Sequence, residues 1–256
     1  MYKIKSHAKV NIFLKITGHN GEYHTLLSRF VKVKSLYDEI EFVPCECDSF
    51  TIEGCGDIDI KSNTIYKAYK SLNEYTGDLD ILNFFYNHKV VVKKNIPQKA
   101  GLGGGSSNAG AFLRLVRDVC NILISDDELA KVGATIGADV PFFVYDYNSA
   151  NVSGFGEVVE KFDEDSLDIK IFTPPIECDT AVVYKSFKEN FLEDITLCSF
   201  LGWERLKSKE ILELINDPFT LNDLFLSSVK EYPKLREYVR DDYYFSGSGS
   251  SFFSLT

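Results

Sequence analysis

A mixed α+β protein of one or two domains is what this sequence predicts, on three observations. Apolar and polar residues alternate in several short stretches, others repeat apolar residues at helical spacing, and a glycine-rich run joins one stretch of each kind. The chain has 256 residues, 45% apolar and 26% charged, which suffices for a sizeable core.

The elements follow in order. Ala8, Val10, Ile12, Leu14 and Ile16 alternate with Lys9, Asn11 and Lys15, the period of a strand covered on one face, so Lys9 and Asn11 point the same way. Strand patterns recur at Phe30 to Lys34 and Glu39 to Val43. Ile65, Ala68, Tyr69 and Leu72 then predict a helix after Asn63-Thr64. His88 to Lys94 reads as a strand feeding the glycine run, and Ala109, Phe112, Val116, Val119, Cys120 and Leu123 form the stripe of the helix beyond it. Ser125 with Glu128 is a capping-box pattern for the next helix, which runs toward Gly133 and Gly137. Strands are expected at Phe142 to Tyr145, Ala150 to Ser153 and Ile169 to Thr173. Helical patterns dominate from about Thr180 to Val239, and Tyr243 to Ser246, a Gly-Ser turn and a short apolar strand close the chain.

Composition excludes several classes of function. A net charge of −10 argues against broad binding to nucleic acid or anionic membranes, which demand basic surfaces. The N-terminus has no basic-then-apolar signal pattern and no apolar stretch reaches about 20 residues, so a cytoplasmic location is expected. Cys45, Cys47, Cys55, Cys120, Cys178 and Cys198 include no CxxC pair and are expected as reduced, structural thiols, with a metal at the first three as the alternative.

The run Pro97-Gln98-Lys99-Ala100-Gly101-Leu102-Gly103-Gly104-Gly105-Ser106-Ser107-Asn108 carries four glycines in five positions at the mouth of a helix. Glycines admit backbone N–H groups close to an anion, and the first helical turn adds unpaired donors and the positive end of the dipole. A triphosphate is the natural guest, and an acidic chain must supply its positive charge locally. The run lacks the GK[ST] ending of a Walker loop, and Ser106 stands where a GxGxxG fingerprint needs its third glycine. Two further stretches gain meaning beside it. Gly137-Ala138-Asp139-Val140-Pro141 fixes one acid between a glycine and a proline, which alone would be a turn or cap residue. Phe245-Ser246-Gly247-Ser248-Gly249-Ser250-Ser251-Phe252 alone would be a hairpin turn.

In this order the three stretches resemble the signature motifs of the GHMP kinase superfamily. Ala8-Lys9-Val10-Asn11-Ile12-Phe13-Leu14 and Gly21-Glu22-Tyr23-His24-Thr25-Leu26 narrow the resemblance to members acting on 4-diphosphocytidyl-2-C-methyl-D-erythritol, a small-molecule substrate of non-mevalonate isoprenoid biosynthesis. The similarity spans about Ser6 to Phe253. It implies a two-domain fold: an N-terminal ATP-binding domain over 1–155, of the ribosomal protein S5 domain 2 type, and a C-terminal ferredoxin-like α/β domain over 156–256. It also implies that relatives continue beyond the third motif, so that the second domain here is truncated.

What the resemblance implies for chemistry is ATP-dependent phosphorylation of the substrate's 2-hydroxyl with Mg²⁺. Asp139 accepts the hydroxyl proton, while Lys9 orients that carboxylate and stabilises the alkoxide and the transferring phosphate. Pro97 to Ser107 bind the nucleotide, with backbone N–H groups from Gly101 to Ser107 on the phosphates; Ser107 lies near them and the metal, and Asn63 faces adenine. Asn11 hydrogen-bonds the substrate, and Tyr23, His24 and Tyr184 take its cytidine end by stacking and hydrogen bonding. No dedicated carboxylate cage for the metal stands out. Two alternatives stay open: another superfamily kinase of mevalonate or homoserine type, or a catalytically silent nucleotide-binding module.

Overall fold

The computed structural model describes residues 2–20, 23–56, 59–192 and 200–256, and its chain divides into two compact units that are each discontinuous in sequence. One unit holds Met1–Ala8, Lys34–Ile96 and Gly104–Tyr147; the other holds Lys9–Val33, Pro97–Gly103 and Asn148–Thr256. Two long paired strands, β1 (Tyr2–Asn20) and β2 (Tyr23–Pro44), contribute residues to both. The two strand patterns at Phe30 to Lys34 and Glu39 to Val43 are thus one strand, and neither glycine nor proline interrupts Ser35 to Asp38.

In the first unit β4 (His88–Lys93) runs antiparallel to β2, with Glu39 opposite Lys93 and Pro44 opposite His88. β3 (Ile52–Glu53) adds a short parallel edge. Helix α1 (Thr64–Thr76) begins where the Asn63 side chain accepts from the Ile65 amide, and ends at Gly77 in the left-handed conformation. The expected stripe of Ile65, Ala68 and Leu72 is buried. Helix α2 (Leu79–Tyr86) was not anticipated; its run of eight residues is apolar on most sides and offered no clear period. Helix α3 (Gly104–Val119) follows the glycine run, and α4 (Asp126–Ala134) carries the expected Ser125–Glu128 capping box.

Phe142 to Tyr145, expected as a strand, lies instead in helix α5 (Val140–Tyr145). Pro141 suits a first helical turn, and Val140 through Val144 are all buried, so core contact on every side erased the periodicity that separates helix from strand. Gly110 is what lets α3 lie against α5: a Cβ there would stand 2.6 Å from the Phe143 Cβ. Phe42, Phe50, Phe85 and Phe112 close the core of this unit with edge-to-face and stacked ring pairs.

Cys45 and Cys47 are bonded to each other, contrary to the expectation of free thiols. The cause is local: residues two apart on an extended chain project to the same side, and the amides of both are tied to the carbonyls of Asn87 and Tyr86, which sets the Cα atoms 5.7 Å apart. Cys55, Cys120 and Cys178 are free; Cys198 lies outside the described residues.

In the second unit the first half of β2 pairs with β5 (Ser149–Gly154), Leu26 opposite Gly154 and Val31 opposite Ser149, and β6 (Val158–Lys161) extends the sheet. A separate three-stranded sheet orders β7 (Ile169–Phe172), β9 (Phe252–Leu255) and β8 (Tyr244–Phe245). Helices α6 (Thr180–Asn190), α7 (Ser208–Leu214), α8 (Pro218–Leu221) and α9 (Leu224–Glu231) belong to this unit, with a core of Cys178, Phe225, Val229, Leu235, Phe245 and Phe252. Burial pushes the Cys178 thiol up to about 12, so it stays protonated and inert.

Arg29 on β2 is fully buried. Its guanidinium donates to Asn151 Oδ1 at 2.7 Å and to the carbonyls of Glu204 and Leu206 at 3.0 and 3.2 Å, and it stacks 3.4 Å from the Phe162 ring. Burial pulls its pKa down to about 10, against the opposing pull of Glu164 and Glu204, so it remains charged at neutral pH. Lys15 is paired with Asp223, whose second oxygen accepts from the Ile16 amide at 2.8 Å.

Replacing Gly110 by Ala must separate α3 from α5. The expected result is a loss of about 1–3 kcal/mol, read from the urea midpoint at unchanged slope.

Candidate active site

Lys9 and Asn11 sit side by side on β1, as their alternation requires. Both are buried, and Lys9 Nζ donates to Asn11 Oδ1 at 2.6 Å while standing 4.4 Å from the centre of the Phe30 ring. Asn11 Nδ2 donates in turn to Ser28 Oγ at 2.9 Å, and the Ser28 hydroxyl donates to the Phe13 carbonyl. This relay fixes which way the Asn11 amide faces: its oxygen must meet the ammonium. Ser28 was not singled out in the sequence, since a lone serine in an alternating strand carries no signal of its own.

The segment before α3 is held from below in the second unit. Pro97 is half-buried, Gln98 and Lys99 are exposed, and Ala100 and Leu102 are buried. Lys99 Nζ meets Glu177 at 3.0 Å on the surface. The Lys9 amide donates to the Leu102 carbonyl at 3.0 Å, the Ser251 amide to Ala100 at 3.0 Å, and Ser246 Oγ to Gly101 at 3.1 Å. The third glycine motif therefore packs on the first. Gly101 has φ of +74°, and a Cβ there would overlap the Ser246 carbonyl, so the position demands glycine twice over.

Helix α3 starts at Gly104, earlier than the apolar stripe suggested, so Gly104, Gly105, Ser106 and Ser107 form its first turn. The amides of Gly103 to Ser106 have no carbonyl partner within the helix, whereas that of Ser107 does. Ser107 also makes side-chain contacts of its own. Its hydroxyl is 1% exposed, donates to the His7 carbonyl at 2.6 Å and meets Ser6 Oγ at 2.7 Å, which turns it into the protein. Ser106 is the more exposed hydroxyl of the pair. A Cβ on Gly137 would stand 3.9 Å from Ser106 Oγ, so the Gly-Ala-Asp stretch adjoins this turn. Asp139 is the residue before α5, partly exposed, and its carboxylate makes no capping bond to that helix.

Asn63 is 7% exposed and caps α1, its Oδ1 accepting from the Ile65 amide at 2.9 Å, which leaves its amide nitrogen for other work. Thr64 Oγ1 donates to the Gly105 carbonyl at 2.7 Å and ties the start of α1 to the first turn of α3.

His24 and Tyr184, distant in sequence, meet in the second unit with ring centres 5.6 Å apart, and Phe187 closes on His24 edge-on at 5.8 Å. His24 is 7% exposed, and its Nε2 has no hydrogen-bond partner. Burial lowers its pKa, helped by the nearby charges of Lys188 and His19, so the imidazole is neutral at pH 7. The side chain of Tyr23 lies outside the described residues, as do Gly21 and Glu22.

Comparison with known proteins gives the family of the chain. Residues 63–147 match the model described as GHMP kinases N terminal domain. The chain is 54% identical over 255 residues to the 4-diphosphocytidyl-2-C-methyl-D-erythritol kinase of Sulfurovum sp. (strain NBC37-1), covering 100% of this chain and 99% of that one. It belongs to the 4-diphosphocytidyl-2-C-methyl-D-erythritol kinase family. The relative so named from Sulfurimonas denitrificans is 47% identical, covering 98% of this chain and 96% of its own. A crystal structure titled 4-(cytidine 5'-diphospho)-2C-methyl-D-erythritol kinase superposes with a TM-score of 0.75 at 26% identity, over 99% of this chain and 90% of that one. The GHMP kinase fold implied by the three motifs is the fold of this kinase. The Sulfurovum kinase is matched over 99% of its length and the crystallised kinase over 90% of its chain.

Two measurements follow from these contacts. Gly101→Ala should lower the thermal midpoint by several degrees, because the new methyl must displace the Ser246 carbonyl as well as strain the backbone. His24 should titrate below 6.5 by NMR. Its folded pKa lies under the unfolded value, so stability is whole above pH 6.5 and declines as pH falls through the lowered pKa; a His24→Gln variant should show a shallower decline.

Proposed function

We propose that this kinase transfers the γ-phosphoryl group of ATP to the 2-hydroxyl of 4-diphosphocytidyl-2-C-methyl-D-erythritol, giving the 2-phosphate and ADP. The observation that carries the choice of substrate is the buried, neutral His24 edge with an unmet Nε2 beside the Tyr184 ring. A neutral imidazole nitrogen offers one hydrogen bond, and aromatic faces accept a flat base, which suits cytosine better than the aliphatic acceptors of mevalonate or homoserine kinases. An unpaired buried polar atom is costly, and a base edge would satisfy it. Tyr23 is assigned to the same end of the substrate.

Phosphoryl transfer asks the protein for position and charge. In this reading the Asp139 carboxylate takes the proton of the 2-hydroxyl as its oxygen bonds to the γ-phosphorus and the bond to the ADP oxygen breaks. The Lys9 ammonium, aimed by Asn11, offsets negative charge on the alkoxide and the phosphoryl oxygens. Asn11 also contacts the substrate alcohol. Amides of Gly103, Gly104, Gly105 and Ser106 receive phosphate oxygens at the positive end of α3, with Pro97 to Leu102 as the flank of the cradle and Asn63 toward adenine. Ser107 contributes through its support of the turn.

Mg²⁺ supplies neutralisation of phosphate charge when bound. Among the described residues no group of three or more His, Cys, Asp or Glu is placed to hold a metal. Magnesium is commonly carried chiefly on nucleotide oxygens and water. We keep 1–155 as the ATP-binding part and 156–256 as the C-terminal part. The acidic charge of −10 favours a cytoplasmic enzyme of small molecules over one that engages nucleic acid or membranes. Among the described residues no helix is long and apolar enough to cross a membrane.

ADP release with ATP, Mg²⁺ and the cytidyl alcohol, beside mevalonate, homoserine and no acceptor, tests the reading. Turnover with the cytidyl alcohol alone is expected; ATP binding without turnover on any acceptor would favour a silent module. Lys9→Met and Asp139→Asn should each reduce kcat by about 10²-fold or more while the protein stays folded. Tyr184→Ala should raise KM for the cytidyl alcohol about tenfold and leave KM for ATP within twofold.

A further inference from the structure

The carboxylate of Asp38, at the middle of β2, is fully shielded from solvent. None of the three sequence motifs includes it. Its Oδ1 accepts from the amides of Asn95 and Ile96, at 2.7 and 2.8 Å. Its Oδ2 accepts from Asn108 Nδ2 at 2.9 Å and is paired with Lys94 Nζ. Lys94 also donates to Asn108 Oδ1 at 2.9 Å, and Asn108 Nδ2 reaches Ser6 Oγ at 2.9 Å, which in turn meets Ser107 Oγ. The four partners of Asp38 fall at 94–96 and 108, immediately before and immediately after the segment 97–107.

We propose that Asp38, acting through Asn108 and Lys94, is a positioning residue for ATP: one buried carboxylate clamps both ends of the phosphate-binding segment and so fixes the first turn of α3 before nucleotide arrives. The inference rests on the reading of that turn as the phosphate site. Three physical arguments support it. Tying both ends of an eleven-residue segment to one group removes most of its freedom to drift, and amides that need no reordering bind an anion more tightly. The clamp is built from charged partners: breaking one side of a buried ion pair leaves the other uncompensated, so the arrangement holds as a unit. Asn108 is the residue through which it reaches the helix, because its side chain touches Asp38, Lys94 and Ser6 at once. Lys94 Nζ also lies 3.6 Å from the position a Cβ on Gly104 would take, which places the ammonium against the first residue of α3. Side chains that only stabilised the core would not need to meet at the two ends of this one segment.

The test uses the full chain and separates nucleotide from alcohol. Asn108→Ala and Asp38→Asn are compared with wild type for KM of ATP, KM of the cytidyl alcohol, kcat, ATP affinity by calorimetry and the thermal midpoint without ligand. The expected result is a rise of about ten- to a hundredfold in KM and Kd for ATP, with KM for the alcohol within twofold. A lower midpoint with both KM values unchanged would assign the cluster to stability alone and overturn the proposal. If Asp38→Asn does not fold, Asn108→Ala and Ser6→Ala carry the same comparison, since each weakens the clamp without stranding a charge. Failure of wild type to bind ATP would be a failure of the phosphate-site reading itself; wild-type binding with unaltered variants would be a failure of the clamp.

Discussion

A carboxylate without access to water can stay charged only if its surroundings replace every lost hydrogen bond, and the way this protein meets that demand at Asp38 dictates the path of its chain. The lysine that follows β4 must turn to the carboxylate, the two backbone amides after it must point inward, and an asparagine must stand one turn into α3. With those four groups committed, β4 cannot end elsewhere and α3 cannot start elsewhere. The apolar packing of α3 on α1 and α5 then acts on a helix whose beginning is already fixed.

The second unit uses a gentler form of the same logic. Lys9 is buried, and an amide oxygen and an aromatic face are among the neighbours of its ammonium. The relay through Asn11 and Ser28 ends on a main-chain carbonyl, which cannot rotate away. Beneath it, the glycines at 101 and 247 let two loops touch backbone to backbone, where any side chain would hold them apart. The chemistry attributed to Lys9 thus depends on glycines about 100 and 240 residues along the chain.

Much of this was legible in the sequence, and for identifiable reasons. Period-two alternation gave β1 and put Lys9 beside Asn11; the Ser125–Glu128 pair marked α4; and the three glycine-bearing stretches in order pointed to the fold and the family. Short apolar elements were harder. The helix at Val140–Tyr145 and the helix at Leu79–Tyr86 are short and apolar on most faces, so neither displays a period. Asp38, Lys94 and Ser28 escaped notice because nothing near them in sequence reveals that their partners lie 14 to 70 residues away. Asn108 was the one hint, standing directly after the glycine-serine run. His24 and Tyr184 were chosen by resemblance, and the structure places their rings together; the unmet Nε2 could be seen only in three dimensions.

Arg29 carries an evolutionary consequence. Two of its hydrogen bonds end on the main-chain carbonyls of Glu204 and Leu206, atoms that every amino acid possesses. The side chains at 205 and 206 are thus free to drift among descendants without loosening this tie, whereas the Glu204 carboxylate also supports the charge on the guanidinium. Position 29 has no such freedom: lysine offers a single ammonium where a planar fork spans separate acceptors, so a change there would leave several of them unsatisfied at once. Constraint and tolerance are divided unequally across one contact, the burden resting wholly on the guanidinium.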